Sequence, residues 1–461
     1  MNLFWHRRDP RTRDNAGLAA AARDGTVVPV FVYDADLLGT MGLRQRALYL
    51  RHVKALKRRY RELDSDLIVR AGEVETVLPE LAEAYDADTV YYNEHYRAAR
   101  RNRQRAVEDA FAGTDTGTDA RTDLVLVDPG RLEADYPNHS QFHNDWEQVP
   151  KRGPYAIPEA GDLAAVSDKK TVPEPEADIE LPRAGYDAAR DRLDHFVDRG
   201  ITAYNDTRDD LAAAIEAPTE TVSRMSPYLA TGAIGIREVW GVASDVYDAV
   251  TGGERRNVDK YRYELSWREQ NYHLLYYNPD LAVSNYKRFP NEIEWRDDDA
   301  SFEAWTRGET GYPLVDAGMR QLNEEGYIHN RPRQVVASFL TKHLLIDWRR
   351  GARYFTKQLV DHDYASNHGS WQWTASTGTD SVDVRIFDPV SQASKYDDGA
   401  TYIRAYVPEL EGVPTEKVID WPTLSRGERE SLAPEYVHPI VDRNEGYERA
   451  KRTFERALGK R

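Results

Sequence analysis

The 461-residue sequence contains no cysteine. Disulfides, iron–sulfur clusters and thiolate chemistry are thereby excluded, and most structural zinc sites with them. Any redox chemistry must run through a bound organic cofactor or through aromatic side chains. Lysine is scarce as well: 13 Lys stand against 49 Arg, on a background whose net charge is −16. That balance fits a protein working in concentrated salt. No apolar run approaches the roughly 18 residues of a membrane span. The opening Met1-Asn2-Leu3-Phe4-Trp5-His6-Arg7-Arg8 puts its basic residues after a short apolar run, the reverse of a secretory signal. A cytoplasmic monomer with no membrane partner is expected.

An acidic chain, taken whole, is a poor partner for nucleic acid. Its charge is uneven, however: between Arg331 and Lys357 seven Lys or Arg accompany a single acid, Asp347. Such a run is either a solvated helix face or a patch for phosphates. The length calls for more than one core. Residues 1–130 alternate apolar runs at 27–33, 66–69, 89–92 and 124–127 with amphipathic stretches at 44–63, 74–85 and 97–111. This alternation predicts an α/β domain with a doubly wound parallel sheet. The Gly, Thr and Asp of 113–119 read as a flexible tip. Prolines at 150, 154, 158, 173, 175 and 182 mark residues 131–190 as a long inter-domain connection. The rest, 191–461, is a large all-α domain, with helices predicted over 235–250, 261–277, 335–346 and 349–359; a further one at 186–199 leads into it.

Three segments carry candidate chemistry. The cationic turn Asn330-Arg331-Pro332-Arg333-Gln334 precedes an apolar helix, which makes it either an anion or cofactor site or a capped surface helix. Between Asp361 and Trp373, two carboxylates, an Asn, small residues and two Trp suit a pocket for a flat heterocycle, or a polar loop. Ser223-Arg224-Met225-Ser226-Pro227 offers hydroxyls at a helix start, where phosphates are readily held.

The blocks Thr310-Gly311-Tyr312-Pro313-Leu314-Val315-Asp316-Ala317-Gly318-Met319-Arg320, Leu345-Ile346-Asp347-Trp348-Arg349 and Trp371-Gln372-Trp373-Thr374-Ala375-Ser376 resemble the photolyase/cryptochrome family. So does the opening Phe4-Trp5-His6-Arg7-Arg8-Asp9. The closest resemblance is to the cyclobutane pyrimidine dimer photolyases of class I. It implies FAD in the helical domain. Tyr204 and the block Val222, Ser223, Arg224, Met225 and Ser226 match positions that hold its phosphates and ribityl chain, and Tyr261 an aromatic flavin position. Arg268, Arg333, Asp361, His362 and Asp363 match the surroundings of its rings. Asn367 matches the residue facing the redox-active ring nitrogen, where an amide favours the reduced flavin. Trp371, Trp348 and Trp295 match the electron-transfer chain, although large buried Trp are core residues by default. Glu264, Trp267, Asn271, Asn330, Gln334 and Trp373 match the pocket for a flipped-out lesion. The implied activity is light-driven repair of pyrimidine dimers in damaged DNA, with a cryptochrome-type photoreceptor as the alternative.

Four departures qualify that match. Gln334 stands where class I enzymes carry Met, and DASH-type members, which act on single strands, carry Gln there. Val222 replaces a hydroxyl residue. The segment Ser381-Val382-Asp383-Val384 is short and sets an acid beside the flavin pocket rim. Ala99 and Arg100 replace the Asn-Glu pair of a folate antenna, so the antenna is left as a deazaflavin, a folate or none. His is absent from 330 and 334, which speaks against (6-4) repair, and iron–sulfur photolyases are excluded by the lack of cysteine.

Overall fold

The computed structural model describes residues 1–380 and 382–460. Five parallel strands, β1 (Asn2–His6), β2 (Val27–Tyr33), β3 (Ile68–Ala71), β4 (Thr89–Asn93) and β5 (Gly117–Arg121), form one sheet in the order β3-β2-β1-β4-β5. Helices α1 (Ala16–Asp24), α2 (Leu43–Glu62), α3 (Val74–Ala84) and α4 (Ala98–Phe111) alternate with them. β1 is buried throughout and β2 almost so, as expected of strands covered on both faces.

The strand expected at 124–127 is not a strand. β5 is instead Gly117–Arg121, which takes in the last three residues of the segment 113–119 expected as a flexible tip. An edge strand pairs on one side only, here Thr89 with Gly117 through Asn93 with Arg121, and its half-exposed side chains carry no apolar signal. Residues 124–127 are apolar for another reason: Leu126 and Val127 pack on the helical domain, and their amides donate to Glu269 at 2.7 and 3.3 Å.

The connection is partly helical. α5 (His139–Gln148) sinks Phe142 and Trp146 into one core with Phe196, from α6 (Tyr186–Arg199), and Tyr261. Tyr261 lies on α7 (Gly252–Tyr277), which begins nine residues earlier than its apolar pattern because its first turns are polar. Beyond it come α8 (Pro313–Glu325), α9 (Asn330–Ser338), α10 (Trp348–Gln358), α11 (Tyr364–Ala375) and α12 (Arg443–Ala457). The cationic turn at 330–334 is in fact the first turn of α9, capped by His329, whose Nδ1 accepts the Arg331 amide at 3.2 Å. Pro332 is tolerated there because a first turn has no use for its missing N–H. From Phe339 to His343 the backbone widens to a π-helix, and the positive φ of Leu345 ends the helix short of 346.

Asp363 caps α11 through the Ser366 amide at 2.8 Å, so the polar segment 364–373 is helix rather than loop. Asp363 also ties the two domains. It takes the Arg8 guanidinium at 2.6 Å and the Tyr272 hydroxyl. Burial opposes its charge, but Arg8 and Arg268 hold its carboxyl well below the usual range.

Candidate active site

α7, α9, α10 and α11 enclose a recess of about 250 Å³. α7 contributes Lys260, Glu264, Trp267, Gln270 and Asn271; α9 contributes Asn330, Arg333 and Gln334; α11 contributes Asn367, Trp371 and Trp373. Two glycines allow the helices this close. A Cβ at Gly351 would collide with the Trp371 ring, and one at Gly369 with the Asn271 side chain.

The inner wall is neutral. Asn367 is buried and donates its amide N–H to the Ala352 carbonyl at 3.1 Å, which leaves its oxygen as the acceptor. Trp371 packs edge-on against Phe355, with centroids 5.1 Å apart, and against Trp305 at 6.2 Å. Trp348 is fully buried, its Nε1 donating to Asn285 at 2.9 Å, and half-buried Trp295 sits 5.9 Å from the Phe454 ring.

The mouth is charged. Glu264 takes Lys260 at 2.7 Å and makes a close ion pair with Arg208. Burial works against the Arg208 charge, yet Glu264, Tyr204 and Asp209 raise its pKa above the ordinary value. Asp209 in turn pairs with Arg331 at 2.8 Å, and Arg331 donates to Gln334 at 2.9 Å. Trp267 and Trp373 meet nearly at right angles, with centroids 6.2 Å apart.

Other sequence-predicted residues stand outside the recess lining. Tyr204 and Tyr261 pack edge to face at 5.3 Å in the core behind α7, with Met225 and Val222 against the same cluster. The Met225 amide donates to Ser223 at 3.4 Å, and Ser226 opens a short helix. Arg224, at positive φ, lies 3.6 Å over Tyr327. Arg333, itself on the recess wall, reaches Asp361 outside it at 3.7 Å. Arg268 donates to the Leu124 carbonyl at 2.9 Å and with Asp363 serves the domain junction, while the His362 ring contacts Thr356 at 3.1 Å. Asp383 is not among the recess-lining residues: it pairs with Lys287 at 3.4 Å and Lys460 at 2.5 Å, and Ser381 lies outside the described residues. Arg100 is buried on α4, its guanidinium pushed down to about 9 by burial and by Arg7, Arg8 and Arg97 despite nearby Tyr49.

Among the described residues, the buried polar atoms without partners include Gln270 Nε2 on the recess wall, Asp361 Oδ1 beside Arg333, and Arg224 Nε. Buried polar groups left unmatched call for a polar ligand or water. A flavin dinucleotide, with ring amides, a ribose and two phosphates, fits that set.

Residues 2–159 match the family described as DNA photolyase, and residues 261–456 the FAD binding domain of DNA photolyase. The chain belongs to the DNA photolyase family. It is 43% identical over 487 residues to a deoxyribodipyrimidine photo-lyase of Halobacterium salinarum, covering 100% of both chains. It superimposes on a bacterial class III photolyase from Agrobacterium tumefaciens with a TM-score of 0.87 at 32% identity, over 100% of this chain and 98% of the other. A Synechocystis cryptochrome gives 0.88 at 26% identity, over 98% and 99%. The expected fold and the FAD cofactor are those of this family.

Sequence reasoning missed Arg208, Asp209, Lys260 and Trp305. Lys260 had a signal, since it stands four residues before Glu264 on one helix. The others come from segments distant in the chain and show none.

Proposed function

We propose that this photolyase uses blue light to split cyclobutane pyrimidine dimers in DNA, working as a cytoplasmic monomer. The observation that carries the reading is the meeting, in one recess, of Asn367 and Trp371 on α11 with Glu264 and Trp267 on α7. FAD, which Asn367, Arg333 and Asp361 would hold, would when reduced and photoexcited supply one-electron chemistry in which the electron lent to the dimer is returned after ring cleavage, with no net redox change.

The side chains have distinct tasks. Asn367 offers its amide oxygen to a ring N–H, which favours the reduced flavin. Arg333 and Asp361 serve the ring edge, and Arg224 with Ser223 the phosphates. Trp371, Trp348 and Trp295 carry electrons inward when the flavin must be reduced. Trp267 and Trp373, with planes 74° apart, receive the two splayed bases of a flipped dimer. Glu264 hydrogen-bonds a base carbonyl or imide and steadies charge arriving on the dimer. Arg208, Arg331 and Lys260 face the phosphates on either side.

The test is repair of a defined dimer by the purified holoprotein under blue light, in single- and double-stranded oligonucleotides. Loss of dimers in either supports the reading. Preference for the single strand assigns Gln334 the DASH-like role. Dimers that persist while the flavin photoreduces normally would leave a cryptochrome-type photoreceptor.

A further inference from the structure

The wall behind Trp267 is formed by a residue of the connection. His139, the first residue of α5, lies parallel to the Trp267 indole, with centroids 3.8 Å apart and planes 10° from coplanar. Trp267 lines the recess and His139 does not, so the imidazole covers the indole face turned away from the cavity. Its own position is fixed from three sides. Phe142 and Trp146 anchor α5 in the core. Tyr263 presents its edge to His139 at 4.6 Å and to His143 at 4.7 Å. Buried Ser266, the neighbour of Trp267, holds both imidazoles: its Oγ lies 2.9 Å from His139 Nε2 and 2.9 Å from His143 Nδ1.

The hydrogen-bond pattern sets the tautomer. Ser266 donates its only hydroxyl proton to the Tyr263 carbonyl at 2.8 Å. Both ring nitrogens must therefore donate to Oγ, and His139 Nδ1 is left without a proton, in keeping with its having no partner among the described residues. Burial pushes the His139 pKa down to about 3, with His143 adding to the effect, so the ring stacks in its neutral form.

We infer that His139 is a positioning residue for lesion recognition, a stacked backing plate that holds Trp267 at the angle to Trp373 needed to receive the dimer. The inference rests on the proposed repair function. An indole held on one face only by solvent would rotate about its side-chain bonds, and ordering it would weaken dimer binding. An imidazole locked by Ser266 removes that freedom before DNA arrives, which is preorganisation. Undamaged DNA flips no base into the recess and gains nothing from it.

The experiment compares wild type, His139→Ala, His139→Phe, Trp267→Ala and the His139→Ala/Trp267→Ala double variant as flavin-loaded proteins. Affinity is measured for one oligonucleotide with and without a dimer, and light-driven repair is followed on the same samples. His139→Ala is expected to weaken dimer binding about fivefold to tenfold, the scale of one aromatic stack. Binding of undamaged DNA and flavin content stay unchanged, and the phenyl ring of His139→Phe restores most of the loss. In the Trp267→Ala background the same change is expected to be silent, because the coupling runs through that ring. Equal loss in both backgrounds, equal loss on undamaged DNA, or no loss at all overturns the assignment. Wild-type protein with no preference for the dimer overturns the repair reading itself, and the platform with it. Wild-type preference for the dimer with a silent His139→Ala overturns only the platform.

Discussion

At the inner end of the recess Asn367 and Trp371 are 4% and 3% exposed, and amides and rings form the wall. At the mouth the Glu264 and Lys260 side chains are 26% and 30% exposed, and Lys260, Glu264, Arg208, Asp209 and Arg331 form one chain of alternating charge. The inner end is preorganised by packing and has nothing for salt to screen. The mouth is preorganised by ion pairs, which on the proposed function incoming phosphates would exchange. In concentrated salt such an exchange is useful: counterion release gives little affinity there, and partners already paired lose less on binding. On the proposed function, selectivity then falls to the recess, where an extrahelical dimer would reach Trp267 and Trp373.

The inner wall breaks most severely at Trp371. Trp371→Ala removes a buried ring wedged between Phe355, Trp305 and Gly351, and is expected to cost about 3–5 kcal/mol. Thermal melts and the flavin-to-protein absorbance ratio should both fall. Gly351→Val, pressing on the same ring from α10, should cost about 1–3 kcal/mol by overpacking. A variant of either kind that keeps its melting temperature and its flavin would show the wall to be softer than its packing.

A buried histidine outside the recess gives a pH test. His362 is buried and burial pushes its pKa down to about 3, whereas the unfolded chain takes up the proton near pH 6.5. A folded pKa below the unfolded one means that the unfolded state binds the proton first. Stability is therefore full above pH 6.5 and declines as the pH falls from there toward 3. Melting temperatures measured from pH 7 to 4 should drop, and His362→Gln should flatten part of that slope. An unchanged slope would place the acid sensitivity elsewhere.

The mouth breaks through phosphate. Arg208→Ala and Arg331→Ala should each lower the slope of log affinity against log salt by about 0.7–0.9, with damaged and undamaged DNA affected alike. Unaltered slopes would mean that these arginines serve Glu264 and Asp209 alone.

How much of this was legible in the sequence follows the same division. Asn367, Trp371 and Trp373 sit within one short block, so a family resemblance reaches them together. Arg208 and Asp209 share no block with Glu264 and meet it only after the chain folds. α11 hid as a polar loop because both its faces are buried and no 3.6-residue stripe survives. β5 hid because an edge strand of Gly, Thr, Asp, Ala and Arg has no apolar face to show. His139 hid in a connection whose prolines argue for irregular chain, and nothing in its neighbourhood announces the stack on Trp267.

The smallest effect belongs to Lys260. Its pair with Glu264 is an i,i+4 contact on a helix, partly exposed, of the kind worth about 0.3–0.5 kcal/mol. Lys260→Met should therefore change dimer affinity by only about twofold. Glu264 keeps Arg208, so the repair yield per bound dimer should not move. Titrating dimer-containing DNA against this variant at low and high salt separates two roles. If the lysine only braces Glu264, the twofold persists at both. If it meets a phosphate, the effect shrinks as salt rises. An effect of Lys260→Met as large as that of Arg208→Ala would mean that the two cations hold Glu264 equally, and the mouth would then be a clamp on the carboxylate rather than a relay of ion pairs leading inward from the DNA.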